Sequence, residues 1–405
     1  MRELLQASWR AAVAAADPLQ ILPPHLPQPP RGRTFVAAAG KAAASMALAT
    51  ERTWPKNRDL EGLAITRYRH GLPTRRIRVV EAGHPVPDEA GEAAARELLD
   101  RVRTLGEDDL LLALISGGGS SLLPLPAPGV AMSDLKTVTG QLLRSGASIQ
   151  EINTVRKHLS AILGGRLAAA SRARVLALII SDVTGDDPSD IASGPCAPDP
   201  TTCDDARAIL LRYGIAPPGA FSESPKPGDP AFAKAENRVV ATARRSLEAG
   251  CEVFRARGIE PVNLGDRITG EAREVAAGMA ARVRTTRGPA ALISGGECTV
   301  TVRGAAGRGG RCAEFLLALA IELDGMPGAY AIAADTDGID GTEDNAGALI
   351  APDTLARARA AGLDARAFLE ANDSYGFFSA LGDLVVTGPT RTNVNDYRAI
   401  VMSRG

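Results

Sequence analysis

Two α/β domains, the first a doubly wound and mostly parallel sheet and the second a mixed sheet, are what this sequence predicts. Three observations carry the prediction. Apolar runs of strand length alternate with Ala-, Arg-, Glu- and Leu-rich helical segments along most of the chain, the pattern of a layered α/β protein. A stretch rich in proline and glycine, residues 199–231, interrupts that alternation. A chain of 405 residues also exceeds one module at about 150 residues per domain.

Taken in order, residues 4–16 repeat apolar side chains at helical spacing, and PPHLPQPPRGR (23–33) breaks that helix before a strand-like run at 34–39. Parallel strands are expected at 62–66, 76–81, 109–115 and 174–180, with helices at 88–105, 133–145 and 152–170. The boundary is placed near residue 230, which gives domains 1–229 and 230–405. Beyond it, strands at 238–241, 260–264, 290–293, 298–302, 329–333 and 346–350 alternate with helices at 243–257, 270–285 and 313–323. ALISGGG (113–119) and ALISGGE (291–297) echo one another as a shared strand-to-turn sequence, not as a repeat.

Composition removes several classes of function. With 46 Lys+Arg against 47 Asp+Glu the formal charge is -1, so nothing draws the whole chain to nucleic acid or to an anionic membrane. Hydrophobic residues at 45% and charged residues at 23% suit a protein that buries real cores. No apolar run approaches the roughly 18 residues of a membrane span, and Glu3 and Asp17 interrupt the first segment where a signal peptide would be apolar. A cytoplasmic location is therefore expected. The five cysteines include no Cys-x-x-Cys pair and read as reduced thiols.

The strongest chemical signal is LLLALISGGGSSLLPLP, in which a buried strand runs into Ser116-Gly117-Gly118-Gly119-Ser120-Ser121. Three glycines leave backbone N–H groups unshielded for an anion, and two hydroxyls follow as further donors. A bare turn is the competing reading; the position at the carboxyl end of a strand favours a ligand. The loop has neither the Gly-Lys-Ser/Thr ending of a Walker A loop nor the spaced glycines of a dinucleotide fingerprint. Gly40-Lys41 likewise follows a strand and opens a helix, where an ammonium suits an anionic ligand and a transferring phosphoryl group, unless it is a solvated lysine.

Carboxylates follow two other strands. Asp182 is placed as a general base or Mg²⁺ ligand, while Asp186 and Asp187 beside Pro188 read as turn formers. Asp337 sits in ADTDGIDGTEDNAG, whose early glycine and missing twelfth-position glutamate disfavour calcium and leave Mg²⁺ with phosphate. Arg308 and Arg311 lie among glycines ahead of a helix, poised either for an oxyanion or for salt bridges. Asn153, Arg156, Lys157 and His158 share one helical turn, either a binding face or a solvated one, and zinc at His158 is disfavoured by the lack of His or Cys at ligand spacing. His84, in a Pro-rich turn, reads as structural.

Together GKAAASMA, EAGHPVPDEAG, LISGGGSSLLPLPAPGV, INTVRKHLS, LIISDVTGDDPSDIASGP, SGGECTVTVRG, GRGGRCAEF, AADTDGIDGTEDNAGA and NDSYGFF…LGDLVVTGPTRTNVND resemble one family closely, the glycerate 2-kinases whose C-terminal half is the MOFRL domain. The stretches run in consistent order from residue 40 to 396. The resemblance implies ATP-dependent phosphorylation of D-glycerate at its 2-hydroxyl, a Mg²⁺ requirement, a Rossmann-like first domain and a cleft between two α/β domains. It implies Lys41 and Arg311 as groups that stabilise transferred phosphate, while Asp182 is held as catalytic on its place at the strand end. On the reading of the residues themselves, Ser116 to Ser121, Asn153, Lys157 and Asp337 are the candidates to bind substrate or nucleotide, and Asp182 and Asp337 those to hold the metal. A homodimer is left open. Two rivals are a nicotinamide-dependent hydroxypyruvate reductase, a label relatives have carried, and a non-catalytic anion-binding protein; the first lacks a dinucleotide fingerprint here and the second leaves the carboxylates and cations unused.

Overall fold

The computed structural model describes residues 1–302 and 307–403. The last two residues of the SGGECTVTVRG stretch, Arg303 and Gly304, lie outside the described residues. The chain divides into two compact units, Pro18–Val240 and the combination of Met1–Asp17 with Ala241–Gly405. Helix α1 (Arg2–Ala14) opens the chain and belongs to the latter.

The Pro18–Val240 unit runs α2 (Pro18–Ile21), β1 (Thr34–Ala39), α3 (Ala43–Thr53), β2 (Leu60–Arg67), β3 (Ile77–Ala82), α4 (Glu89–Arg103), β4 (Leu110–Ile115), α5 (Gly119–Leu122), α6 (Met132–Arg144), α7 (Ile149–His158), α8 (Arg166–Ala169), β5 (Arg174–Ile180), α9 (Cys203–Arg212) and β6 (Ala235–Ala241). Its sheet has the order β3-β2-β1-β4-β5-β6, with parallel pairing from β3 through to β5. TFVAAA and LLLALI are buried at every position, as strands covered on both faces must be. The helices start where the sequence supplies caps: the Asp88 side chain accepts from Gly91 N, Ser148 from Glu151 N, and Thr202 from Asp205 N.

The second unit continues with α10 (Ala243–Arg255), β7 (Glu260–Asn263), β8 (Gly270–Glu271), α11 (Ala272–Thr285), β9 (Ala290–Ser294), β10 (Cys298–Thr299), α12 (Arg311–Leu323), β11 (Ala329–Asp335), β12 (Gly347–Ile350), α13 (Thr354–Ala360), α14 (Ala365–Glu370), α15 (Ser374–Leu381), β13 (Leu384–Val385) and β14 (Asp396–Met402). The main sheet, β13-β12-β11-β14-β9-β7, is antiparallel except for the β7–β9 pair. Alternation along β11 decides what covers each face. Ala331 and Ala333 pack with α11 and α12, whereas Ile332 and Ala334 pack with Leu5, Trp9 and Ala12 of α1 and with Leu247 and Phe254 of α10.

Both sheets match the predicted fold class, and several boundaries move. The division expected near residue 230 falls after Val240, because residues 235–241 form the strand beside β5, with Val175 N donating to Lys234 O at 3.0 Å. Residues 1–17 leave the first domain because the apolar stripe of α1 completes the second sheet's cover. The single helix expected over 152–170 is α7 and α8 separated at Gly164 and Gly165, and the stretch read as irregular contains α9.

Candidate active site

In the first unit, β1 leads to α3 and on toward β2 on one side of the sheet, while β4 leads on to β5 on the other. The gap beyond the carboxyl ends of β1 and β4 is therefore the topological switch point, where open parallel sheets bind ligands. Gly40-Lys41 follows β1 and the glycine loop follows β4, so the two strongest sequence signals meet there.

They are fastened together by the backbone. Lys41 N donates to Gly117 O at 2.8 Å, Ser116 N donates to Ala39 O at 3.0 Å, and the buried Ser116 hydroxyl accepts from Ala42 N at 3.0 Å. Ser116 thus acts as a tie between loops. Among the described residues the Gly117 and Gly118 amides donate to no protein acceptor. Gly118 takes φ +80°, and a Cβ there would stand 2.7 Å from His84 Nε2 and 3.3 Å from Lys41 Cγ. Only glycine fits that position, and the imidazole read as structural lines the loop beside Lys41.

A chain of side-chain hydrogen bonds braces the loop from behind. Ser120 Oγ and Ser193 Oγ lie 2.8 Å apart, Ser193 Oγ donates to Asn153 Oδ1 at 3.0 Å, and Asn153 Nδ2 donates to Asp190 O at 3.2 Å. Ser121 Oγ donates to Gly118 O at 3.1 Å. Ala192 and Ser193 hold φ of 52° and 56°, left-handed values that cost a non-glycine residue roughly 1–2 kcal/mol each. The bracing network overrides that local preference. Gly119 closes the turn against Ala192, where a Cβ would come within 2.6 Å of the alanine Cβ.

Asn153 and Lys157 occupy one side of α7, and both have protein partners. The buried Lys157 ammonium lies 3.3 Å from Asp199 Oδ1 and 4.0 Å from Asp190 Oδ1. Burial alone would raise the Asp199 carboxyl, but Lys157 with hydrogen bonds from Thr201 and Ser224 brings it below the ordinary carboxylate range. At Asp190 burial prevails and the carboxyl is raised. Asp182 stands half-buried just past β5, at the same edge of the sheet as Lys41 and the glycine loop.

Among the described residues, His158, Cys203 and Glu223 bring ligand atoms within 4.8 Å of one another, a proximity invisible in sequence spacing. The Lys226 ammonium already pairs with Glu223, and burial followed by Glu223 pushes the Cys203 thiol up to about 11. This cluster is an ion-paired packing site rather than a ready thiolate centre.

The second unit treats its arginine differently. Arg311, the first residue of α12, donates from Nε to Asp396 Oδ1 at 2.8 Å and from an Nη to Asp335 Oδ2 at 2.6 Å, with Glu297 Oε1 at 3.3 Å. Burial opposes its charge, yet Asp396, Asp335 and Glu297 raise its pKa well above the ordinary value. Asp335 and Asp396 are directly opposed in the β11–β14 ladder, so two buried carboxylates face each other and a cation between them is required. The start of α12 is itself filled by Asp340, whose carboxylate accepts from Cys312 N at 3.0 Å and Ala313 N at 2.8 Å. Burial pushes Asp340 up to about 7 despite those bonds. The buried Asp337 accepts from Ile339 N at 2.8 Å and donates its own N–H to Asp335 at 2.9 Å. Arg308, by contrast, is exposed and pairs with Glu343.

Comparison with known proteins gives these features a family. A family model described as a domain of unknown function, DUF4147, matches residues 4–223, and the MOFRL family model matches 290–396. D-glycerate 2-kinase of Thermotoga maritima is 38% identical over 96% of this chain and 95% of its own. A crystal structure of glycerate kinase from that organism superposes with a TM-score of 0.85 at 36% identity, covering 99% of both chains. A protein of Agrobacterium vitis named putative hydroxypyruvate reductase is 52% identical over 99% of this chain and 94% of its own. With both family models in order along it and full-length similarity to these kinases, the chain belongs to the glycerate 2-kinase family with a C-terminal MOFRL domain.

Proposed function

We propose that this protein is an ATP-dependent kinase that phosphorylates D-glycerate at the 2-hydroxyl. The observation that carries the reading is the switch-point pairing of Lys41 with a glycine loop whose Gly117 and Gly118 amides have no acceptor among the described residues. Phosphoryl transfer needs positioned donors around a charge-rich group rather than a covalent device, and this edge supplies backbone donors with an ammonium beside them. The similar proteins named D-glycerate 2-kinase and glycerate kinase support the same chemistry.

In this reading the glycine loop cradles phosphate oxygens, and Lys41 neutralises charge on the group in transit. Mg²⁺ bound with the nucleotide would supply further neutralisation; Asp182 is the carboxylate at this edge suited to hold it, and Asp337 is a second candidate in the other unit. Asn153 acts through Ser193 to position the loop, and Lys157 holds Asp199. Arg311 is a positioning residue that bridges Asp335 and Asp396 and holds them in place.

A reductase reading draws on the name of the Agrobacterium relative and on the sheet order, which dinucleotide-binding folds share. The first strand, however, leads into Gly40-Lys41 without the spaced glycines that let a pyrophosphate approach. One pair of assays separates the readings: ADP release with D-glycerate against NADH or NADPH oxidation with hydroxypyruvate. Phosphorus NMR of the kinase product should show the 2-phosphate. A 3-phosphate, or reduction without ADP release, overturns the proposal.

A further inference from the structure

Arg156 sits on α7 between Asn153 and Lys157, yet it shares none of their bonds. Among the described residues no carboxylate, carbonyl or hydroxyl partners its guanidinium. The side chain is half-buried and lines a cavity of about 90 Å³ with Lys136, Ser120, Ser121, Val86 and Leu143. That lining contains two cations and no Asp or Glu. It also shares a wall with the glycine loop through Ser120 and Ser121.

A guanidinium withdrawn from water without a counter-ion is costly, and charged groups of this kind are ordinarily paired when buried. Burial is the cause that draws the Arg156 pKa down, to about 10, with no neighbouring carboxylate acting against it. The nearby Lys157 shows the alternative: the same helix gives that cation Asp199. Among the described residues no carboxylate answers Arg156, and its flat five-donor fork suits the paired oxygens of a ligand's carboxylate or phosphate. The cavity exceeds the space one water requires, and Arg156 and Lys136 are the charged side chains in its largely apolar lining.

We infer that Arg156 is the anchor of an oxyanion subsite beside the glycine loop, taking a carboxylate or phosphate group of a ligand. The inference rests on the kinase reading for the identity of that ligand, which carries the oxyanion either as the carboxylate of the acceptor or as a phosphate of the nucleotide. The occupied subsite would hold its ligand at a fixed distance from Ser120 and the loop, so the contact acts on ground-state affinity.

Calorimetric titration of the full chain with D-glycerate, ATP and inorganic phosphate, each alone, tests the inference without turnover. Arg156→Gln should weaken one of them by roughly 10-fold to 100-fold, the range of a lost charge-assisted bidentate contact. Loss confined to D-glycerate assigns the acceptor carboxylate, and loss in ATP or phosphate assigns the nucleotide. Arg156→Lys should recover part of the affinity. Thermal unfolding adds a readout that a structural arginine would not give: Arg156→Met should leave the ligand-free melting temperature unchanged or raised, because no protein partner is stranded, while the ligand-induced rise disappears. Unchanged affinity for all three ligands, no measurable binding by the parent protein, or a fall in ligand-free melting temperature overturns the inference. If Arg156-dependent binding persists in a protein that transfers no phosphate, the subsite stands and the kinase reading fails.

Discussion

At the end of β4, Ser116-Gly117-Gly118 turns into helix α5, while at the end of β9 the same Ser-Gly-Gly, residues 294–296, runs toward β10. In the first turn the Gly117 and Gly118 amides have no acceptor among the described residues. In the second, Gly295 N donates to Gly265 O at 2.9 Å and Gly295 O accepts from Arg398 at 2.6 Å. The residue after each turn differs too: Gly119 lets the chain close against Ala192, and Glu297 reaches Arg311. Identical strand-to-turn sequences thus leave the Gly117 and Gly118 amides open, among the described residues, in one sheet and tie Gly295 at both its N–H and its C=O in the other. The difference lies in what packs against each turn: Gly295 N is taken up by Gly265 O, just after the parallel neighbour β7, and Gly295 O by Arg398 of the antiparallel neighbour β14.

The cations beside the two turns follow the same division, and substitution should separate them. Arg311→Met should have the largest effect on stability. It strands Asp335 and Asp396 face to face, and breaking a buried pair in this way costs about 3–5 kcal/mol. Chemical denaturation should show that loss in the unfolding of the second unit; an unchanged midpoint would mean the two carboxylates are neutralised by other means. Lys41→Ala should behave oppositely, lowering kcat and kcat/KM together by roughly a hundredfold, as for other single electrostatic donors, with little change in melting temperature. Unchanged kcat would make Lys41 a solvated surface group and remove the contrast.

Asp182→Asn sharpens the picture of the parallel edge. Removing a charge from the metal's proposed ligand should raise the Mg²⁺ concentration needed for half-maximal ADP release, and normal activity at low Mg²⁺ would place the metal elsewhere. The smallest effect concerns pH and the antiparallel unit. Asp340 is held up at about 7, above its unfolded value, so the stability it contributes is complete below the ordinary carboxylate range and is lost as pH rises through about 7. The difference in melting temperature between the parent and Asp340→Asn should therefore shrink, then reverse in favour of the variant, from pH 4 to pH 8. A constant difference would show that Asp340 does not titrate in that window.

What was legible in the sequence is what is local. Lys41 and residues 116–121 stand out because strand, glycine and helix start follow one another within a few residues. The Asp335–Asp396 opposition was not legible, since it depends on the register of strands 61 positions apart in sequence. DYRAIVM carries no plain strand signal for β14 because its buried Asp396 and Arg398 break the apolar run. His84 and Arg156 carry no local signal that singles them out: one meets the glycine loop across 34 positions, and the other is distinguished by having no partner among the described residues.

The placement of α1 has a consequence for synthesis. Residues 18–240 are contiguous and form a complete sheet of their own, so they can fold as soon as they leave the ribosome. The second unit cannot. Leu5, Trp9 and Ala12 are made before the partners that bury them, which begin at Leu247 and continue through Val401. During translation an apolar helix must wait, uncovered, while more than half of the chain is made and folded behind it. Newly made chains should therefore be most vulnerable to aggregation and to chaperone capture at their leading segment, and a circular permutant that moves residues 1–17 behind residue 405 should shorten that window.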